Sequence, residues 1–302
     1  MADRMVASMI ERHRRYGWST PVGEWGAIQR EDRADFHGAL DAGDADEIEA
    51  QLDDMLNGPL SFGLVTQSPN AQHLAPFLMW RLALWTKASQ SRHMERLRAP
   101  AVGRPVIAEI SGIPMMSDTP RFDYYAERIS RVHPTTVMEI GCGYGGVALQ
   151  LTRQAPDVRL VLVDIPETLY LAGWWLSHCG VDVTWWDEGV LSSSVRLVPA
   201  QDVTRNSWTG RVDLVCSFHT FSGLDRETIG TYLRWLTTSS ARYFYHDDAL
   251  TTETGVWLTA VYPEQLCADM APRGFREVWR ERQPWTGPDD RFCEVFYERV
   301  AS

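Results

Sequence analysis

Val137-Met138-Glu139-Ile140-Gly141-Cys142-Gly143-Tyr144-Gly145-Gly146 passes from an apolar run into a cluster of glycines and out into a helical pattern over 147–154. The spacing predicts a strand, a tight turn and a helix start. Glycine at such a turn permits a sharp bend and lets backbone N–H groups approach a ligand with no Cβ in the way. Gly141, Gly143 and Gly146 satisfy G-x-G-x-x-G, a nucleotide fingerprint that is weak when it stands alone. Gly141, Gly143 and Gly145, with Glu139 two residues ahead, satisfy a second pattern, E-x-G-x-G-x-G. A purely structural turn flanked by solvated acids is the plain alternative to both.

Outward from this stretch the chain keeps the same rhythm. Short apolar runs at 159–163, 195–198, 212–217 and 243–245 alternate with helical patterns at 169–178 and 228–236. Such βαβ alternation predicts an α/β fold, a parallel sheet with helices on both faces. The tail departs from it: 277–281 and 292–298 are extended and joined by Pro284-Trp285-Thr286-Gly287-Pro288, which predicts an antiparallel hairpin at one sheet edge. Ahead of Asp118 the periodicities are helical. Asp44 precedes Ile48, Leu52, Met55 and Leu56, with Asn57-Gly58-Pro59 as a stop. Ser68-Pro69 reads as the start of a helix presenting Leu74, Phe77, Leu78, Leu82 and Trp85. Thr119-Pro120 opens another, which His133-Pro134 closes. The expected organisation is a helical cap or dimerisation region over 1–118 and an α/β domain over 119–302.

Composition bounds the partners. The 302 residues are 44% hydrophobic and 23% charged, which is globular and excludes a disordered or collagen-like chain. Lys and Arg number 29 against 40 for Asp and Glu, a formal charge of -11, so no nucleic-acid partner is expected. The longest apolar stretch, 74–85, is too short to cross a bilayer and contains Arg81, so no membrane partner is expected either. Five widely spaced cysteines without a C-x-x-C pair fit a reducing cytoplasm, and the N-terminus reads as mature protein without a targeting segment.

The parallel core closed by a terminal hairpin, together with E-x-G-x-G-x-G, resembles the class I S-adenosylmethionine-dependent methyltransferases. Residues 139–146 followed by Val161-Leu162-Val163-Asp164-Ile165-Pro166-Glu167-Thr168-Leu169-Tyr170-Leu171 are similar to the sugar O-methyltransferase family of natural-product glycoside biosynthesis. The Asp-hydrophobic-Pro-Glu-Thr run is the distinguishing piece. A helical N-terminal extension with a Leu-rich segment, as in 52–63 here, also occurs in that family. The likeness is strong over 137–171 and loose elsewhere. It implies a Rossmann-like sheet, S-adenosylmethionine as cofactor, and a small-molecule acceptor, a sugar or glycoside whose hydroxyl is methylated. It also implies the contacts. Glu139 suits the cationic end of the cofactor, Gly141, Gly143 and Gly145 line it, and Asp164 with Ile165 meets the ribose. Gln201 and Asp202 then lie near the adenine, and Ser217, at the end of the fourth strand, is a further cofactor contact. An acid at the end of the second strand is wanted by a dinucleotide site as well, so Asp164 does not discriminate.

Methyl transfer needs alignment and a base for the hydroxyl proton. Ligands of open α/β sheets sit beyond the carboxyl ends of the strands, and two such ends carry histidine, His219 and His246. His219 is the expected base and His246 the alternative, with Asp225, Asp247 or Asp248 to orient it. Asp247 and Asp248 also suit Mg²⁺, but that arrangement wants a further acid where Ser217 and Phe218 stand, so no residue is assigned to a metal. Trp174 and Trp175 are expected in the core. Trp18, Trp25, Trp80 and Trp85 are candidates to cover the site. A homodimer is admitted. Open alternatives are methylation of a phenol, an amine or another metabolite, an NAD-dependent oxidoreductase on the same glycines, and cofactor binding without methyl transfer.

Overall fold

The computed structural model describes residues 3–17, 23–61, 64, 71–90, 93–188, 194–205, 210–249, 263–285 and 292–300. The first half is helical: α1 (Arg4–Tyr16), α2 (Gly23–Glu31), α3 (Ala34–Ala42), α4 (Ala45–Asp53) and α5 (Ala71–Ala88). Asp44 caps α4 by accepting the Glu47 N–H at 3.1 Å, the role its position predicts. Ser68-Pro69 lies outside the described residues. Where helix was expected throughout, a ribbon of β1 (Ala108–Ile110) and β2 (Ile113–Met115) intervenes. Ser111 and Gly112 join its strands with φ of 54° and 77°, the handedness that a two-residue hairpin turn requires.

After α6 (Thr119–Ser130) come β3 (Thr136–Ile140), α7 (Gly146–Gln154), β4 (Arg159–Asp164), α8 (Pro166–His178), β5 (Val183–Thr184), β6 (Val195–Pro199) and α9 (Ala200–Thr204). They are followed by β7 (Leu214–Phe218), α10 (Arg226–Thr238), β8 (Tyr243–Ala249), α11 (Pro263–Met270), β9 (Phe275–Arg282) and β10 (Phe292–Arg299). The sheet order is β5-β6-β4-β3-β7-β8-β10-β9. Strands β5 to β8 run parallel, and β10 pairs antiparallel with both β8 and β9. The expected α/β sheet with its terminal hairpin is therefore present, with β5 as an additional edge strand; the hairpin's connecting residues 286–291 lie outside the described set.

The strand expected over 243–245, with His246 at its carboxyl end, is longer: β8 continues through 246–248 because β10 pairs with it in register, Val295 with His246, Glu294 with Asp247 and Cys293 with Asp248. Side chains along it therefore alternate between the two faces of the sheet.

Each face carries its own core. One holds Met138, Val163, Val215, Phe244, Val295 and Tyr297 beneath Ile229 and Leu233 of α10 and Met270 of α11. The other joins Leu162, Leu197, Leu171, Trp174 and Trp175 to Tyr125 of α6 and to Val6, Leu40 and Leu52 of the N-terminal helices. The helical half thus shares a core with the sheet. No described helix is long and apolar enough to cross a membrane.

Candidate functional site

The chain steps from β3 to β4 on one side and returns to β7 on the other, so a crevice opens over the carboxyl ends of these strands. It holds a cavity of about 370 Å³, lined by Gly141, Cys142 and Gly143 after β3, Asp164 and Ile165 after β4, and Phe218, His219 and Thr220 after β7. Arg121, Phe122 and Tyr125 of α6, Thr228 and Tyr232 of α10 and Leu64 of the N-terminal half also line it.

The three alternate glycines do different work. All have positive φ, 76° at Gly141, 54° at Gly143 and 89° at Gly145. A Cβ on Gly141 would lie 2.0 Å from Thr220 Oγ1, and one on Gly145 would lie 2.8 Å from Leu176 Cδ1. Those two positions serve close packing. On Gly143 a Cβ would meet only Leu64 Cδ2 at 3.8 Å, so this backbone stands open to the cavity.

Two carboxylates face the same space. Glu139 is 5% exposed and its Oε2 has no hydrogen-bond partner among the described residues; burial, then the charge of Asp164, pushes its pKa well above the ordinary value. A buried polar atom without a partner is rare in native proteins, and this residue lines a cavity with room for a hydrogen-bonding group. Asp164 accepts the Gly143 N–H at 3.1 Å and the Ile165 N–H at 2.8 Å, and burial raises its pKa to about 6. Behind it the buried Arg33, just ahead of α3, donates to Thr168 Oγ1 at 3.2 Å; burial lowers its pKa to about 10 against the pull of Asp164 and Glu167.

At the opposite end His219 adopts φ 58°, a conformation rare outside glycine that the surroundings must enforce. Its N–H donates to the Asp247 carbonyl at 2.7 Å. Its ring Nε2 receives the Gln283 amide at 2.7 Å and the Arg121 guanidinium at 3.2 Å. Two such donors require an unprotonated Nε2 and place the ring proton on Nδ1. Burial, then Arg121, holds the imidazole well below its ordinary pKa, so it is neutral. Asp247 Oδ2 accepts from Tyr125 and Gln283 and lies 3.8 Å from His219 Nε2. Arg121 is paired with Asp118 at 3.0 Å, and the same carboxylate oxygen takes Arg81 at 2.6 Å. Tyr125 is fixed by stacking on Phe218 at 4.1 Å.

Of the residues singled out by sequence, Glu139, Gly141, Gly143, Asp164, Ile165 and His219 line the cavity, and Asp247 lies just behind His219. Gly145, Gln201, Asp202 and Ser217 do not line it; Ala200, next to Gln201, does. Ser217 is fully buried, and its Oγ has no partner among the described residues. His246 is on the other face: it is 1% exposed, its Nδ1 sits 3.2 Å from Asp248 Oδ2, and it stacks with Phe244 and Tyr297 in the core beneath α10. Strand alternation removes it from the site and parts Asp248 from Asp247. The two aspartates cannot chelate one ion together, and among the described residues no group of three or more His, Cys, Asp or Glu could hold a metal. Asp225 caps α10 through the Thr228 N–H at 2.7 Å. Trp80 and Trp85 do not line the cavity, Trp18 lies outside the described residues and the Trp25 side chain likewise. Arg121, Tyr125 and Gln283 were missed. The one available signal was the Thr119-Pro120 helix start, which fixes Arg121 in the first turn of α6.

The sheet order and hairpin define a Rossmann-like methyltransferase fold with added N-terminal helices. Comparison with protein-family models finds no match, nor does comparison with curated protein sequences. Among solved structures the chain is similar to magnesium protoporphyrin IX methyltransferase (ChlM) from Synechocystis PCC 6803 with bound SAH. That pair has 12% identity and a TM-score of 0.47 over 60% of this chain and 82% of that one. It is also similar to the N-methyltransferase NodS from Bradyrhizobium japonicum WM9, with 17% identity and a TM-score of 0.46 over 61% of this chain and 99% of that one.

Proposed function

We propose that the protein is an S-adenosylmethionine-dependent methyltransferase that methylates a hydroxyl of a sugar or glycosylated small molecule. The observation that carries the cofactor is the unpartnered Oε2 of Glu139, buried beside a glycine backbone that opens onto the cavity. A carboxylate there repels a pyrophosphate and suits an ammonium, while Asp164 offers acceptors for vicinal ribose hydroxyls. When bound, S-adenosylmethionine supplies a methyl group on a sulfonium, a good leaving group for in-line displacement. The chain's own part is alignment by the cavity walls and removal of the acceptor's proton by the neutral His219. Support for the sugar comes from the resemblance over 137–171. Leu64 in the wall and Arg33 behind Asp164 support a role for 1–118 in shaping the site.

Calorimetry with S-adenosylhomocysteine and with NAD separates the cofactors: binding of the first and not the second is expected, and the reverse defeats the assignment. Following S-adenosylhomocysteine release against a panel of glycosides, phenols and amines then tests the acceptor. Turnover confined to phenols or amines rejects the sugar.

A further inference from the structure

His219 faces the cavity with its useful nitrogen already engaged. Nε2 is held by Arg121 Nη1 at 3.2 Å and by Gln283 at 2.7 Å. Gln283 has a second acceptor in Asp247, whose Oδ2 it also reaches, so it can let go of the imidazole at little cost. Arg121 is different. Its guanidinium lines the cavity, its Nε is buried with no partner among the described residues, and its side chain is 14% exposed. It carries donors beyond those taken by Asp118 and His219, arranged in the planar fork that suits an oxyanion.

We propose that Arg121 selects an acceptor that carries a carboxylate or phosphate, and that engaging this anion draws the guanidinium off His219 Nε2 and frees that nitrogen to take the hydroxyl proton. The inference rests on the methyl-transfer reading of the same cavity. The acceptor's O–H bond breaks as its new O–C bond forms and the donor's S–C bond breaks, and the proton ends on Nε2. Before the anion arrives, the base is masked by hydrogen bonds from Arg121 and Gln283 and weakened by a neighbouring positive charge. Afterwards Arg121 and its charge are taken up by the anion and the Gln283 amide turns to Asp247, so the correct acceptor activates its own base. The groups facing the imidazole are Arg121 and Tyr125 of α6, Arg81 of α5 behind Asp118, Asp247 of β8 and Gln283 beyond β9. Arg121 is the nearest cation among them.

The test follows the His219 imidazole by NMR across pH in the full-length protein saturated with S-adenosylhomocysteine, with His219→Asn to assign the signal. D-glucuronate, D-glucose 6-phosphate and D-glucose serve as probes. An acidic sugar should raise the His219 titration by about one pH unit or more, and glucose should leave it in place. Which acidic sugar acts identifies the anion as carboxylate or phosphate. Arg121→Gln should abolish the response; if that variant does not fold, Arg121→Lys, which keeps the charge without the fork, should shrink it. No response to either acidic sugar, an equal response to glucose, or a full response in the Arg121 variant overturns the proposal. Failure of wild-type protein to bind S-adenosylhomocysteine instead strikes at the methyl-transfer reading, while the sugar titration, repeated without it, still reports on Arg121.

Discussion

Asp247 of β8 and Glu294 of β10 are direct cross-strand partners, both without exposed surface, and Asp247 lies 3.8 Å from the imidazole of His219. Glu294 accepts hydrogen bonds from Tyr124 at 3.1 Å and Tyr245 at 2.5 Å, yet burial raises its pKa to about 7. Burial and the Glu294 charge together push Asp247 well above its ordinary value. Two carboxyls in one dry space favour holding a proton between them.

This pairing predicts a pH-dependent effect of Glu294→Gln on stability. Between the ordinary glutamate value and about 7 the folded protein keeps a proton on Glu294 that the unfolded chain has released, so stability falls as pH rises through that window. The variant has no such proton to lose. Its stability relative to wild type should improve from pH 5 to pH 7, by at most about 1.4 kcal/mol per pH unit, and then level off. Urea unfolding at several pH values measures the difference. A difference independent of pH contradicts it.

The loop glycines should separate binding from folding. Gly143→Ala places its Cβ in open cavity, so it should weaken S-adenosylhomocysteine binding tenfold or more, with a backbone cost of about 1–2 kcal/mol for the left-handed conformation. Gly141→Ala drives its Cβ into Thr220 and should cost more stability than Gly143→Ala. Calorimetry and thermal unfolding of both variants provide the comparison, and equal losses of stability would contradict it.

Asp164 predicts how cofactor affinity depends on pH. Its carboxyl titrates near 6, and ribose hydroxyls are better bound by the ionised form. Affinity for S-adenosylhomocysteine should therefore rise about tenfold per pH unit below 6 and flatten above it. Asp164→Asn should bind weakly at all pH values and lose that dependence. An unchanged pH profile in the variant assigns the titration to another group.

The two histidines should behave as different kinds of residue. His219→Ala should lower turnover by about 10²- to 10⁴-fold with S-adenosylhomocysteine binding nearly intact. His219→Gly should do the same while gaining stability relative to His219→Ala, because glycine adopts φ 58° without strain. His246→Ala removes a ring packed in the core and should lower the melting temperature by several degrees. If turnover per folded molecule drops more in His246→Ala than in His219→Ala, the assignment of the face is wrong.

The sheet was legible because its signals are local. Each parallel strand is an apolar run, each crossover a helical repeat, and the glycine loop states its own turn. Glu139, Gly143 and Asp164 could be read for the same reason, since they stand at fixed steps from that turn. His246 could not be placed, because whether β8 ends before it depends on pairing with β10, whose register is set tens of residues away. Gln283 and Arg121 are equally non-local: one comes from the terminal hairpin and the other from the helix ahead of β3, and only the folded sheet brings both to one imidazole.

Tyr144, from the glycine loop, lines the cavity and meets the indole of Trp175 edge-on with ring centroids 4.8 Å apart. The indole is itself held in place, donating to the Val102 carbonyl at 3.3 Å. A fluorophore therefore stands one aromatic ring behind the cavity-lining backbone, on a rigid mount. Any ligand that displaces Tyr144 will alter the emission of Trp175, and Trp175→Phe will erase that part of the signal. Occupancy of the cavity can thus be read optically in unlabelled protein, before any acceptor is known.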